Sequence, residues 1–75
     1  MINILITSGG GIWIPKLARL LHKEYNIFLS DFRKINKPKF VKKVFKVELP
    51  KHKNYIDNLV LICNHNNIDL VLPSS

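Results

Sequence analysis

Apolar and polar residues alternate along this chain with two periods. Ile2, Ile4 and Ile6 alternate with Asn3, Leu5 and Thr7, which predicts a strand over Ile2–Thr7. Leu5 makes the second face partly apolar, as in a sheet covered on both sides. Ser8-Gly9-Gly10-Gly11 breaks the strand, because three glycines do not hold an extended segment and reach positive φ freely. Ile14, Leu17, Ala18, Leu21 and Tyr25 then step by three or four residues. That spacing predicts a helix from Trp13 to Tyr25 with one buried face. Pro15 is compatible with it only in the first turn, and Asn26 ends it.

Ile27–Ser30 reads as a second strand closing at Asp31. Phe32–Lys43 is basic and irregular, and Pro38 bars a continuous helix there. Val44–Leu49 predicts a third strand, with Lys46 and Glu48 turned outwards as at a sheet edge, and Pro50 stops it. Asn54 stands as an N-cap with Asp57 in the capping-box position. The helix behind it, Tyr55–Asn66, is expected to bury Ile56, Leu59, Val60 and Cys63. Ile68–Leu72 is a fourth strand, closed by Pro73. Strands that alternate with single helices predict an α/β fold: a small, Rossmann-like, open parallel sheet of about four strands with right-handed crossover helices.

The 75 residues make one small domain, and 47% hydrophobic content supplies a modest core. A chain of this size buries only about 60% of its unfolded surface, so its stability is thin. Cys63 is the only cysteine and cannot pair within the chain. No apolar run approaches the length of a membrane span. Met1 leads straight into the first strand with no basic segment before an apolar one, so no signal peptide is expected and the cytoplasm is the default compartment.

Charge changes the picture. The net charge is +7, yet Arg33 to Lys53 holds nine basic residues against Glu48 alone, and the rest of the chain sums to −1. This segment reads either as a surface for phosphates or as a solvated face. Its flanking aromatics do not form a stacking platform, so nucleic acid is not an expected partner.

In an open parallel sheet, ligands bind beyond the carboxyl ends of the strands. Those ends carry Ser8–Gly11, Asp31, Pro50 and Ser74-Ser75. Gly9, Gly10 and Gly11 precede a helix, where free N–H groups can hold a phosphate or carboxylate; a plain tight turn is the other reading. The dinucleotide fingerprint is incomplete, because its third glycine is missing, although Asp31 stands about 20 residues downstream, where a ribose-binding acid would be. A Walker A motif is absent. Cys63 and His65 are two apart on a helix and point to different faces. His22 and His52 have no ligand partner at a recognisable spacing. Trp13 could cover a ligand, or serve the core or an interface. No carboxylate pair is spaced for acid–base work.

An ordered series of segments carries a resemblance. It runs Asn3-Ile4-Leu5-Ile6-Thr7-Ser8-Gly9-Gly10, Asp31, Asn54-Tyr55-Ile56-Asp57 with Leu59 and Ile62-Cys63, then Ile68-Asp69-Leu70-Val71-Leu72-Pro73. In order and spacing it resembles the amino-terminal, pre-ATP-grasp domain of ATP-grasp enzymes, nearest to the large subunit of carbamoyl phosphate synthase and its relatives. The resemblance implies a non-catalytic leading domain of a ligase. Such an enzyme activates a small carboxylate as an acyl phosphate with ATP and Mg2+, then passes it to an amine or other nucleophile. ATP and Mg2+ would be bound mainly by a downstream ATP-grasp domain, in cis or as a separate subunit. This chain would shape the substrate side, with Ser8, Gly9, Gly10, Gly11, Asp31 and Ser74 as its substrate- or phosphate-binding positions. The basic link Arg33–Lys43 departs from the family pattern, which carries small residues and an acid there. A standalone phosphate-, polyanion- or dinucleotide-binding module is the alternative.

Overall fold

A computed structural model describes residues 1–74. It contains β1 (Ile2–Thr7), α1 (Ile14–Leu21), β2 (Tyr25–Asp31), β3 (Val41–Lys46), α2 (Tyr55–His65) and β4 (Leu70–Pro73). The strands form one sheet in the order β3-β2-β1-β4, with every neighbouring pair parallel. The expected α/β open parallel sheet is therefore present.

Pairing fixes which side chains share a face. Ile4 lies opposite Ile27 and Ile6 opposite Leu29. These four, with Ile14 and Ala18 of α1 and Val41 of β3, form the buried core. Leu5 points to the other face and is also fully buried. The first crossover runs from β1 to β2, and the second from β3 back past β1 to β4. Right-handed connections then place α1 and α2 on opposite faces, so both faces of β1 are covered. No helix among the described residues is long and apolar enough to cross a membrane.

Several boundaries differ from those the pattern predicts. α1 stops at Leu21, where His22 N–H donates to Ala18 O and Glu24 N–H closes a tighter turn on Leu21 O. Tyr25 opens β2 instead and still packs against the core, so its spacing imitates a helical step. β3 starts three residues early, at Val41. A bulge lies between Val41 and Lys43, which face Ile27 and Phe28. The extra residue, Lys42, breaks the alternation and hides the start of the strand. Leu49 lies beyond the strand and is exposed. β4 begins at Leu70 rather than Ile68 and includes Pro73, which is compatible with a sheet edge. In α2, Ile56 and Val60 are exposed rather than buried, and Leu59 and Cys63 are half-buried. The Asn54 side chain makes no capping bond; the Asn54 backbone N–H donates to His52 Nδ1.

The start of β4 is tied down by Asn3. Its N–H donates to Asp69 Oδ2 at 2.8 Å, and its Nδ2 donates to Asn67 O at 3.0 Å. Its Oδ1 accepts from Asn26 Nδ2 at 2.8 Å. Asn3→Ala removes these two side-chain bonds and is expected to cost about 1–3 kcal/mol, at roughly 0.5–1.5 each. Urea unfolding of the two chains measures it.

Candidate functional site: the carboxyl edge of the sheet

The strand order reverses between β1 and β4, so the crevice where open α/β sheets take ligands lies beyond Thr7 and Pro73. Ser74 closes this point. Its Oγ donates to Thr7 O at 2.6 Å and lies 3.2 Å from Ser8 O. Ser75, also placed at this edge by the sequence, lies outside the described residues.

The glycine loop leaves β1 and turns back against β2. Gly9 N–H donates to Ser30 O at 2.8 Å, Gly10 N–H to Asp31 Oδ2 at 2.8 Å, and Gly11 N–H to Ser8 O at 3.3 Å. Three amides that could hold a ligand anion are thus bonded within the chain, and the Asp31 carboxylate takes the place of such an anion. None of the three glycines has positive φ; Ser8 carries it instead, at 56°. The glycines are required by close approach. A Cβ on Gly9 would lie 2.7 Å from Leu29 Cβ, and one on Gly10 2.9 Å from Asp31 Oδ2.

Asp31 is 2% exposed and fully engaged. Oδ1 accepts from Arg33 N–H at 2.8 Å and Arg33 Nε at 3.0 Å. Oδ2 accepts from Gly10 N–H and from Arg33 Nη2 at 3.1 Å. The Arg33 side-chain bonds, with the Arg33 and Gly10 amides, outweigh desolvation and hold the carboxyl down from 3.8 to about 2. A two-pronged guanidinium grip of this kind is directional as well as strong. Arg33 is the residue that composition alone hides: it counts as one charge in a basic run, yet it sits two residues beyond Asp31, where a turning chain brings it back.

The other sequence candidates are dispersed. Trp13 is exposed, so it serves no core; with Lys16, Leu17 and Leu20 it lines a shallow hollow. Cys63 is half-buried, and burial pushes its thiol up, away from the reactive thiolate. Among the described residues no group of three His, Cys, Asp or Glu side chains could hold a metal ion. The basic segment is partly engaged: Arg33 grips Asp31, Lys37 Nζ donates to Val41 O, and Lys43 Nζ sits over the Phe45 ring. No family model matches the chain, and no curated protein matches it.

Proposed function

We infer that this chain is the substrate-side α/β unit of an ATP-dependent carboxylate ligase of the ATP-grasp kind, and that it works with a nucleotide-binding unit in cis or as a separate subunit. ATP and Mg2+ belong mainly to that other unit. The chain itself supplies a wall for a small carboxylate substrate at its carboxyl edge, beside Ser8–Gly11, Asp31 and Ser74.

The observation that carries this reading, beside the ordered segments of the sequence, is the asymmetry of the two sheet edges. β3 presents Lys42, Lys43 and Lys46, and lysines on an edge discourage further pairing. β4 carries no charge; its Leu70, Val71 and Leu72 are 50%, 39% and 37% exposed. Ile56, Val60 and Leu61 of α2 are exposed as well. A bare apolar edge beside further exposed apolar side chains is the kind of surface that a further unit covers.

The natural gene product, isolated from its source cells, is expected to exceed 8.7 kDa several-fold or to travel with a second subunit. It should release ADP from ATP only when a carboxylate is supplied, and hydroxylamine should trap the acyl phosphate as a hydroxamate. A free 8.7 kDa product, with no ATP-dependent hydroxamate formed in its presence, would overturn the reading.

A further inference from the structure

Strand alternation divides the carboxyl edge into two sides with opposite character. Asp31 turns its carboxylate towards the glycine loop, where every oxygen is bonded. Ser30, its neighbour, turns its hydroxyl to the other face. Ser30 is 1% exposed, and its Oγ has no hydrogen-bond partner among the described residues. A buried hydroxyl left unpaired is destabilising, so it points to a group that completes it.

The space around it is organised. A well of about 10 Å³ is bounded by Ser30, Ser8, Phe32, Glu48 and Tyr55, which is room for about one water-sized group. It shares Phe32, Val47 and Glu48 with an open cleft of about 380 Å³, whose wall also includes Lys46, Leu49 and Asn58. That is within the size range of small-molecule sites.

The charges in this cleft are opposite and not paired with each other. Lys46 has no ion-pair partner among the described residues, and Glu48 has only His52 Nε2 at 3.9 Å. Val47 N–H donates to Asp31 O, which continues the extended run through this point. Lys46 and Glu48 therefore leave the chain on the same side, two residues apart. The Asn58 amide lies beside them and offers both a donor and acceptors. The Phe32 ring adds an apolar wall. A simple anion would meet Glu48, and a simple cation would meet Lys46. A ligand that carries both charges satisfies both.

We propose that this cleft binds a small zwitterion of the free α-amino acid type. Its carboxylate faces Lys46, its ammonium faces Glu48, and one polar group reaches the Ser30 hydroxyl. The assignment does not rest on the ligase reading: it concerns what the cleft takes up, not what is then done with it.

The test is an amide-resolved NMR titration of the chain with L-serine, L-glutamine and L-glutamate, each beside its N-acetyl and its carboxamide derivative. Saturable shifts are expected at Ser30, Phe32, Val47, Glu48 and Asn58. Each blocked derivative should bind about tenfold more weakly or worse, the loss of one charged contact. Lys46→Met and Glu48→Gln alter exposed side chains and should weaken the free amino acids comparably. Ser30→Ala should lower affinity while the chain melts at the same or a higher temperature, because the unpaired hydroxyl is gone. No saturable shift with any probe would overturn the proposal. So would an equal response to the blocked derivatives or to acetate or inorganic phosphate alone, or shifts confined to the lysines of the basic segment that vanish with salt.

Discussion

Asp31→Ala is expected to cost about 2–4 kcal/mol, because it removes a buried, charge-assisted hub and leaves Gly10 N–H and the Arg33 fork unpaired. The lower part of that range is set by Arg33, whose side chain is 55% exposed and can return to water. A domain of this size has roughly 4–11 kcal/mol in total. The variant should therefore melt far earlier, and the loop at Ser8–Gly11 should lose amide protection first. Arg33→Gln keeps the fold testable and should destabilise less than Asp31→Ala, since the carboxylate retains its bonds to the Gly10 and residue-33 amides. The pH dependence gives a second reading. The carboxyl sits at about 2 in the folded chain against 3.8 as the ordinary value. A depressed folded pKa means that the contribution is complete above about pH 4 and is lost as pH falls from there towards 2. The amount at stake is about 2.5 kcal/mol at most, from roughly 1.4 kcal/mol per pH unit. Urea midpoints measured down that window should fall for the native chain and stay flat for Asp31→Ala. A residue held for ligand contact alone would behave in the opposite way: its removal would leave stability unchanged or raise it. An unaltered midpoint for Asp31→Ala would remove the structural role assigned to the carboxylate.

The parts of this fold legible in the sequence are those that rest on uninterrupted periodicity. β1 alternates cleanly, and its bounds are those the pattern predicts. α2 ends one residue short of its expected end. The pattern fails where tertiary packing supplies the spacing. Tyr25 continues the α1 period only because β2 returns it to the same core, and Lys42 interrupts β3 because it occupies a bulge. The exposed side of α2 could not be read either, since Ile56 and Val60 look like core residues unless the reach of the sheet beneath them is known. At the site, the convergence of Ser8–Gly11, Asp31 and Ser74 on one edge follows from the α/β order. What Asp31 bonds to does not, because it depends on how sharply the chain turns at Phe32. The Ser30 hydroxyl is the least legible of all. One serine inside a strand carries no signal until the sheet assigns it a face and a hole.

Gly9→Ala is expected to be the most damaging change in the loop, at about 2–4 kcal/mol from overpacking together with a displaced hydrogen bond. The added methyl would sit 2.7 Å from Leu29 Cβ. That atom is fixed to the β2 backbone, so no rotamer change relieves the clash. Moving the loop away instead breaks Gly9 N–H to Ser30 O, a 2.8 Å bond. Gly10→Ala should be intermediate: Arg33 Nη2 at 2.8 Å is the end of a flexible chain, whereas Asp31 Oδ2 at 2.9 Å is held by its own bonds. Gly11→Ala meets nothing nearer than 3.7 Å, and no glycine here has positive φ. It should be neutral or stabilise by up to about 1 kcal/mol, through the lower entropy of the unfolded chain. For a domain of 60–100 residues about 1 kcal/mol moves the melting temperature by roughly 4–8 °C. The three variants should therefore separate clearly in one thermal scan. A loop kept glycine-rich to admit a phosphate would give a different order. Each methyl would then leave stability nearly untouched and weaken a ligand, with Gly11 as sensitive as Gly9. Close approach to β2 predicts that stability falls most for Gly9, less for Gly10 and not at all for Gly11, and a scan that finds the three equal refutes it.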